Sequence, residues 1–212
     1  MTHGAPSPYV PITRTPMEEY EKLKTFRFGT TSIVLPALKV NEDTVIYVLN
    51  IMGGNPAYIV IFATELLYAL DTDESMKHIG KFDGFISAEG KSIHLVYEIA
   101  SQAELPYTIL RKIHKPYMGK NVLSAKVKTI TTGEEQLYLD NRDLGRVVDK
   151  RLIFVDDVIS SGATLNATKK IVELAGGEIV GCLAMALEGD YEPTLPTYAL
   201  GKLPVIKLNK RE

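Results

Sequence analysis

The sequence predicts an α/β fold: a mainly parallel central sheet flanked by helices. Three stretches predict it. Residues 152–155 form an unbroken apolar run, as a strand buried on both faces does, and lead through a short hydroxyl-rich turn into a helical pattern over 163–175. Residues 82–87 open a second unit of the same kind, with a helix over 93–102 and another strand over 105–111. A third apolar run, 178–187, follows the helix that Gly176 and Gly177 stop. Strands that alternate with helices in this way lie parallel, and their ligands sit beyond the carboxyl ends of the strands.

The remaining elements follow in chain order. Residues 1–16 hold four prolines and little periodicity, which predicts an extended arm in which His3 is a tail residue. A short helix is expected over 17–27. Residues 30–40 and 44–49 are rich in β-formers and are joined by the turn-like Asn41, Glu42 and Asp43. Gly53 and Gly54 break the chain, and Asn55 with Pro56 starts an apolar helix over 57–70. Residues 111–140 make a long excursion. Alternation in Ala125, Lys126, Val127, Lys128, Thr129 and Ile130 predicts a strand with one solvated face, paired through a turn at Thr132, Gly133 and Glu134 with residues 136–139. The tail, from Tyr198 to Leu208, predicts one more strand.

Composition bounds the function. A chain of 212 residues with 45% apolar content is expected to form one domain over 1–212 with a sizeable core. Its net charge of −2 does not suggest a nucleic-acid surface. A lone cysteine, Cys182, permits no internal disulfide and fits a reducing, cytoplasmic setting. No stretch reaches the length of a membrane span, and the first residues lack the apolar core of a signal peptide. Four scattered histidines and one cysteine leave no zinc site, and Gly53-Gly54 completes no dinucleotide or P-loop fingerprint.

Residues 155–164 carry the chemistry. Asp156 and Asp157 stand at the end of the apolar run, and Ser160, Ser161, Gly162, Ala163 and Thr164 lead into the helix. Amides at a helix N-terminus are unpaired and bear partial positive charge, so a phosphate satisfies them where small residues let it approach. Two carboxylates would repel that phosphate. They suit two adjacent sugar hydroxyls, directly or around a divalent cation. A ligand with a phosphate and a vicinal diol is a phosphorylated ribose.

The run Val155-Asp156-Asp157-Val158-Ile159-Ser160-Ser161-Gly162-Ala163-Thr164 resembles the signature of the type I phosphoribosyltransferases, with Ala163 where a second glycine often stands. That family binds 5-phosphoribosyl-1-pyrophosphate (PRPP). The resemblance spans about residues 82–187 and implies the family's fold, with a β-hairpin lid over 111–140 and a small hood that covers the base. It implies transfer of ribose 5-phosphate from PRPP to a ring nitrogen, with Mg²⁺ as cofactor and Asp156 and Asp157 as its ligands and as catalytic residues. Residues Ser160 to Thr164 would hold the 5′-phosphate.

The loop Ser87-Ala88-Glu89-Gly90-Lys91 resembles the family's pyrophosphate loop, with a cis peptide expected at Ser87–Ala88; Arg111 and the catalytic Lys112 would join it on the same group. Val158 and Ile159 offer a surface for a flat base, and Glu188 is a candidate for recognising it. No residue stands out as general acid or base, and His114 reads as a lid residue. The motifs over 84–140 look like the adenine phosphoribosyltransferase-like group, which also holds hypoxanthine and xanthine enzymes. The expected partners are therefore PRPP and a purine base, adenine first, with hypoxanthine, xanthine or guanine as alternatives. No nucleic acid or membrane partner is expected, and a homodimer is implied by the resemblance. A PRPP-sensing transcriptional regulator of the same fold and a plain sugar-phosphate-binding module are the readings from other classes.

Overall fold

The computed structural model describes residues 23–51, 56–129 and 133–208. The expected arm over 1–16, the Asn55 cap and Thr132 of the expected hairpin turn lie outside them; Gly133 and Glu134, expected in that turn, instead pair as strand with Thr129 and Lys128. At the centre is a parallel five-stranded sheet. Its strands are β4 (Gly84–Ala88), β5 (Tyr107–Leu110), β8 (Arg151–Ile159), β9 (Glu178–Glu188) and β10 (Thr197–Leu203), in the order β10-β9-β8-β4-β5. Helices α1 (Pro56–Thr72), α2 (Ile93–Ala103) and α3 (Ala163–Leu174) flank it.

The apolar runs are buried strands, as their sequence requires. Leu152, Ile153, Phe154 and Val155 are all at most 1% exposed. Full burial of a side chain such as Phe154 contributes about 1.5–3 kcal/mol. Chain order makes a crevice. From β4 the chain builds outward through α2 to β5, then crosses back to β8 on the other side of β4. The loops after β4 and β8 therefore leave in opposite directions, and the gap between them is where a ligand fits.

Strand β8 runs further than its apolar run. Asp156 pairs in register with Ala184, Val158 with Ala186 and Ile159 with Leu187, so the acids sit inside the strand and do not close it. Among the described residues no peptide bond is cis, so Ser87–Ala88 is trans, contrary to expectation. Both residues are paired with β5, Ser87 with Ile109 and Ala88 with Leu110, and an unbroken ladder keeps the backbone extended there.

A second, antiparallel sheet has the order β1-β2-β3-β11: β1 (Leu23–Phe28), β2 (Thr31–Asn41), β3 (Thr44–Tyr47) and β11 (Ile206–Lys207). The helix expected over 17–27 is corrected: its described part, residues 23–27, lies in the strand Leu23–Phe28. Thr25, Phe26 and Phe28 are β-formers, and pairing with the long β2 outweighs the helical character of the charged residues before them. Phe28, Leu35, Ala37, Val45 and Tyr47 share one core with Phe85, Ile153, Val155 and Leu183, so this small sheet is fused to the body. The tail holds two strands in different sheets where one was expected. Pro204, which has no N–H to donate, separates β10 from β11.

The 111–140 excursion contains the expected hairpin, β6 (Leu123–Thr129) with β7 (Gly133–Leu139). Its alternation has a buried side: Ala125, Val127, Leu137 and Leu139 pack with Leu165, Ile171 and Val172 of α3 in a second core. Arg111 closes the base of the excursion by exchanging two backbone hydrogen bonds of 2.8 Å with Tyr138. Among the described residues no helix is long and apolar enough to cross a membrane.

Candidate active site

A cavity of about 360 Å³ opens at the carboxyl end of β8, between the two sheets. Asp156, Asp157, Val158, Ile159 and every residue from Ser160 to Thr164 line its floor. Its other wall is the small sheet, through Val40, Asn41, Thr44, Ile46, Val48, Val205 and Lys207. The turn into α3 is built by Gly162, whose φ of +71° is open to glycine at little cost. Gly162 also occupies the N-cap position of α3, with no side-chain cap. Ser161 Oγ accepts from Ala163 N at 3.4 Å, a long contact that leaves the first turn's amides largely open to an incoming anion.

The two acids have different surroundings. Asp157 is 7% exposed, and its Oδ2 lies 2.6 Å from Lys91 Nζ. Asp156 is half-buried, and its Oδ1 accepts from Asp157 N at 2.9 Å. Burial, and next the like charge of Asp157, push the Asp156 carboxyl well above the usual carboxylate range. Glu188 also lines the cavity; burial pushes its carboxyl up, while Lys91 pulls it down.

The loop after β4 falls into separate roles. Ser87 is fully buried, and its hydroxyl bonds to Ser92 Oγ at 2.8 Å. Ala88 is buried. Gly90 has open space where a side chain would project. Glu89 is occupied by the next strand's end: its Oε2 accepts from Lys112 N at 2.9 Å, and its Oε1 lies 3.2 Å from Arg111 Nη2. Lys112 Nζ points to the hairpin, 2.9 Å from Glu135 Oε2. Lys91 reaches the cavity. Of the residues singled out from sequence, the floor group, Lys91 and Glu188 therefore meet in one cavity, whereas Ser87, Ala88, Glu89, Gly90, Arg111 and Lys112 do not line it.

Sequence reasoning missed the opposite wall. Asn41, Thr44 and Lys207 are brought in by the sheet-to-sheet packing, and Lys207 Nζ donates to Thr44 Oγ1 at 2.9 Å. It also missed Tyr191, whose ring rests on Gly162. No local pattern marks these residues. The Thr44–Lys207 pair joins β3 to β11, 163 positions apart in the chain.

The potential metal ligands on the floor are carboxylate oxygens, from Asp156 and Asp157. Among the described residues no group of three or more His, Cys, Asp or Glu side chains comes together as a metal site. That set suits a hard cation such as Mg²⁺, which keeps several waters and ligand oxygens in its shell, and does not suit zinc.

A model of the phosphoribosyl transferase domain family matches residues 63–199. The chain belongs to that family. The match runs from within α1 to the first residues of β10, and the strands of the small sheet lie outside it. The chain is 30% identical over 131 residues to a hypoxanthine/guanine phosphoribosyltransferase of Methanococcus voltae, over 61% of this chain and 66% of that one. It spans just under two thirds of that relative's length. Among solved structures it resembles adenine phosphoribosyltransferase from Rhodothermus marinus, with TM-score 0.58, 18% identity and coverage of 85% of this chain and 93% of that one. It also resembles the Trypanosoma brucei enzyme in complex with AMP, pyrophosphate and ribose-5-phosphate, with TM-score 0.55, 15% identity and coverage of 87% and 76%. At those identities the likeness is one of fold.

Proposed function

We propose that this protein is a purine phosphoribosyltransferase, which transfers ribose 5-phosphate from PRPP to a purine and releases pyrophosphate. One observation carries the reading: paired acids and an open helix N-terminus share a single cavity at the point where the strand order reverses. The first turn of α3 and the hydroxyls of Ser160, Ser161 and Thr164 bind the 5′-phosphate. Asp156 and Asp157 accept from the ribose hydroxyls. The open loop at Gly90, with Arg111 and Lys112 tied to it through Glu89, receives the pyrophosphate. Val158 and Ile159 carry the base, and the small sheet closes over it.

The chemistry rests on positioning and charge. Bond breaking at C1′ leaves positive charge on the ribose, which the acids beneath it stabilise. Pyrophosphate leaves toward Gly90 and the Lys112 side. Asp156, beside Asp157, would hold Mg²⁺ together with the ligand's own oxygens, and the bound cation supplies charge to the departing pyrophosphate. A closed cavity keeps water from C1′ and limits hydrolysis of PRPP.

For the base, the name carried by the Methanococcus relative favours hypoxanthine or guanine. Lys207 supports this, because an ammonium on the wall suits the carbonyl oxygen of a 6-oxopurine. Adenine is the second reading, favoured by the motifs over 84–140. The test is pyrophosphate release from PRPP with Mg²⁺, base by base, with an Asp156→Asn/Asp157→Asn control. Release with one purine, lost in the control, is expected. Binding of PRPP with no release for any base would replace the enzyme with a PRPP-sensing regulator.

A further inference from the structure

Lys91 joins three parts of the molecule with one ammonium group. It lies on the loop after β4. Its Nζ is 2.6 Å from Asp157 Oδ2 on β8 and donates at 2.8 Å to the carbonyl of Leu49, in the segment leaving β3. Leu49 is 2% exposed and Asp157 7%, so both acceptors are removed from bulk water. The arrangement has a charge problem to solve. Asp156, Asp157 and Glu188 all line the cavity, where Lys91 and Lys207 are the cationic side chains among the described residues. Lys207 donates to Thr44 on the far wall, and among the described residues Lys91 is the cation that lies against a carboxylate there. A free lysine would range widely about its flexible stem. This one is held at its ammonium by both a carboxylate and a buried carbonyl.

We propose that Lys91 is a positioning residue, the built-in counter-cation of Asp157, which holds that carboxylate for the ribose hydroxyl and keeps a divalent cation off it. The inference rests on the proposed function for the identity of the ligand, though not for the lysine's effect on metal binding. A side chain devoted to pyrophosphate would have a different consequence: Asp157 would stand free beside Asp156, and the pair would bind a divalent cation in the ligand-free protein.

Mn²⁺ alone, followed by electron paramagnetic resonance on the full chain without PRPP or base, separates the two. Lys91→Met is expected to tighten Mn²⁺ binding about tenfold or more, the range in which residues behind metal ligands act. Lys91→Arg, which keeps the charge, is expected to behave as the wild type. Lys91→Met/Asp157→Asn is expected to lose the gain. Wild-type protein that already binds Mn²⁺ as tightly as Lys91→Met overturns the proposal, as does a folded Lys91→Met that gains nothing. Should Lys91→Met fail to fold, Lys91→Gln, which keeps a donor for the Leu49 carbonyl, takes its place with the same two outcomes. A chain without transferase activity would sink the proposed function and leave this readout intact.

Discussion

The ring of Tyr191 lies so close to Gly162 that a Cβ at 162 would stand 2.8 Å from Tyr191 Cε2. The glycine therefore serves twice, once for its left-handed backbone and once for the ring above it. Gly162→Ala is expected to cost about 1–2 kcal/mol from the backbone alone. It should also displace the ring and weaken PRPP binding. Thermal unfolding and PRPP titration check both effects. Tyr191→Ala in the same background should recover part of the binding and none of the backbone cost.

Lys112 is tied to Glu135 of the hairpin, and an anion that recruits it must first break that pair. Both side chains retain some exposure, so the pair is worth little. Glu135→Gln is expected to lower the KM for PRPP by about 2–5-fold, the effect of removing a pair worth up to about 1 kcal/mol. Lys112→Ala should raise it. Initial-rate kinetics at fixed purine would show an unchanged KM in both variants if Lys112 plays no part.

Asp140 links stability to acid. Hydrogen bonds from the Arg142 side chain, followed by its amide, hold the carboxyl below its ordinary range despite burial. A folded-state value below the unfolded one gives stability that is present above the unfolded pKa and lost as pH falls through the folded one. Arg142 is 67% exposed, so the ion pair itself adds little, and the cap on the amide dominates. Asp140→Ala should cost about 1 kcal/mol at neutral pH. The gap to wild type should close in strong acid, as followed by denaturant midpoints.

Glu188 has the opposite sign. Burial raises its folded-state value, so the wild type loses stability as pH rises from the unfolded value through the folded one. Glu188→Gln should melt higher than wild type near neutrality and no higher at pH ~3.5, below the ordinary range of a glutamate. An unchanged melting temperature at pH 7 would show that the side chain is solvated.

Cys182 is fully buried, and burial pushes its thiol to about 12. The native protein should therefore resist thiol reagents at neutral pH and react at once when unfolded. Native-state labelling at the unfolded rate would contradict the buried position.

What the sequence made legible was local. The strand, acid pair, turn and helix over 151–174 are contiguous, so each residue's neighbours in the chain are its neighbours in the site. The second unit at 84–103 was legible for the same reason. Lys91 was read as charge for pyrophosphate because its distance from Asp157 along the chain hides the pairing that β4–β8 adjacency creates. The wall from Asn41, Thr44 and Lys207 was invisible because it depends on how one sheet sits on another. Leu23–Phe28 was misread because its flanking Glu and Lys residues favour a helix, whereas its partner strand decides the outcome.

The pairing of Ile206 with Val45 has a consequence for how the protein is made. A ribosome delivers the chain from the amino end, and domains begin to fold as they emerge. The early strands β1 to β3 must wait for the edge partner that arrives some 160 residues later. Until Lys207 has left the exit tunnel, the pocket has a floor and an incomplete opposite wall. Newly made chains thus complete the floor of the cavity before the wall that faces it.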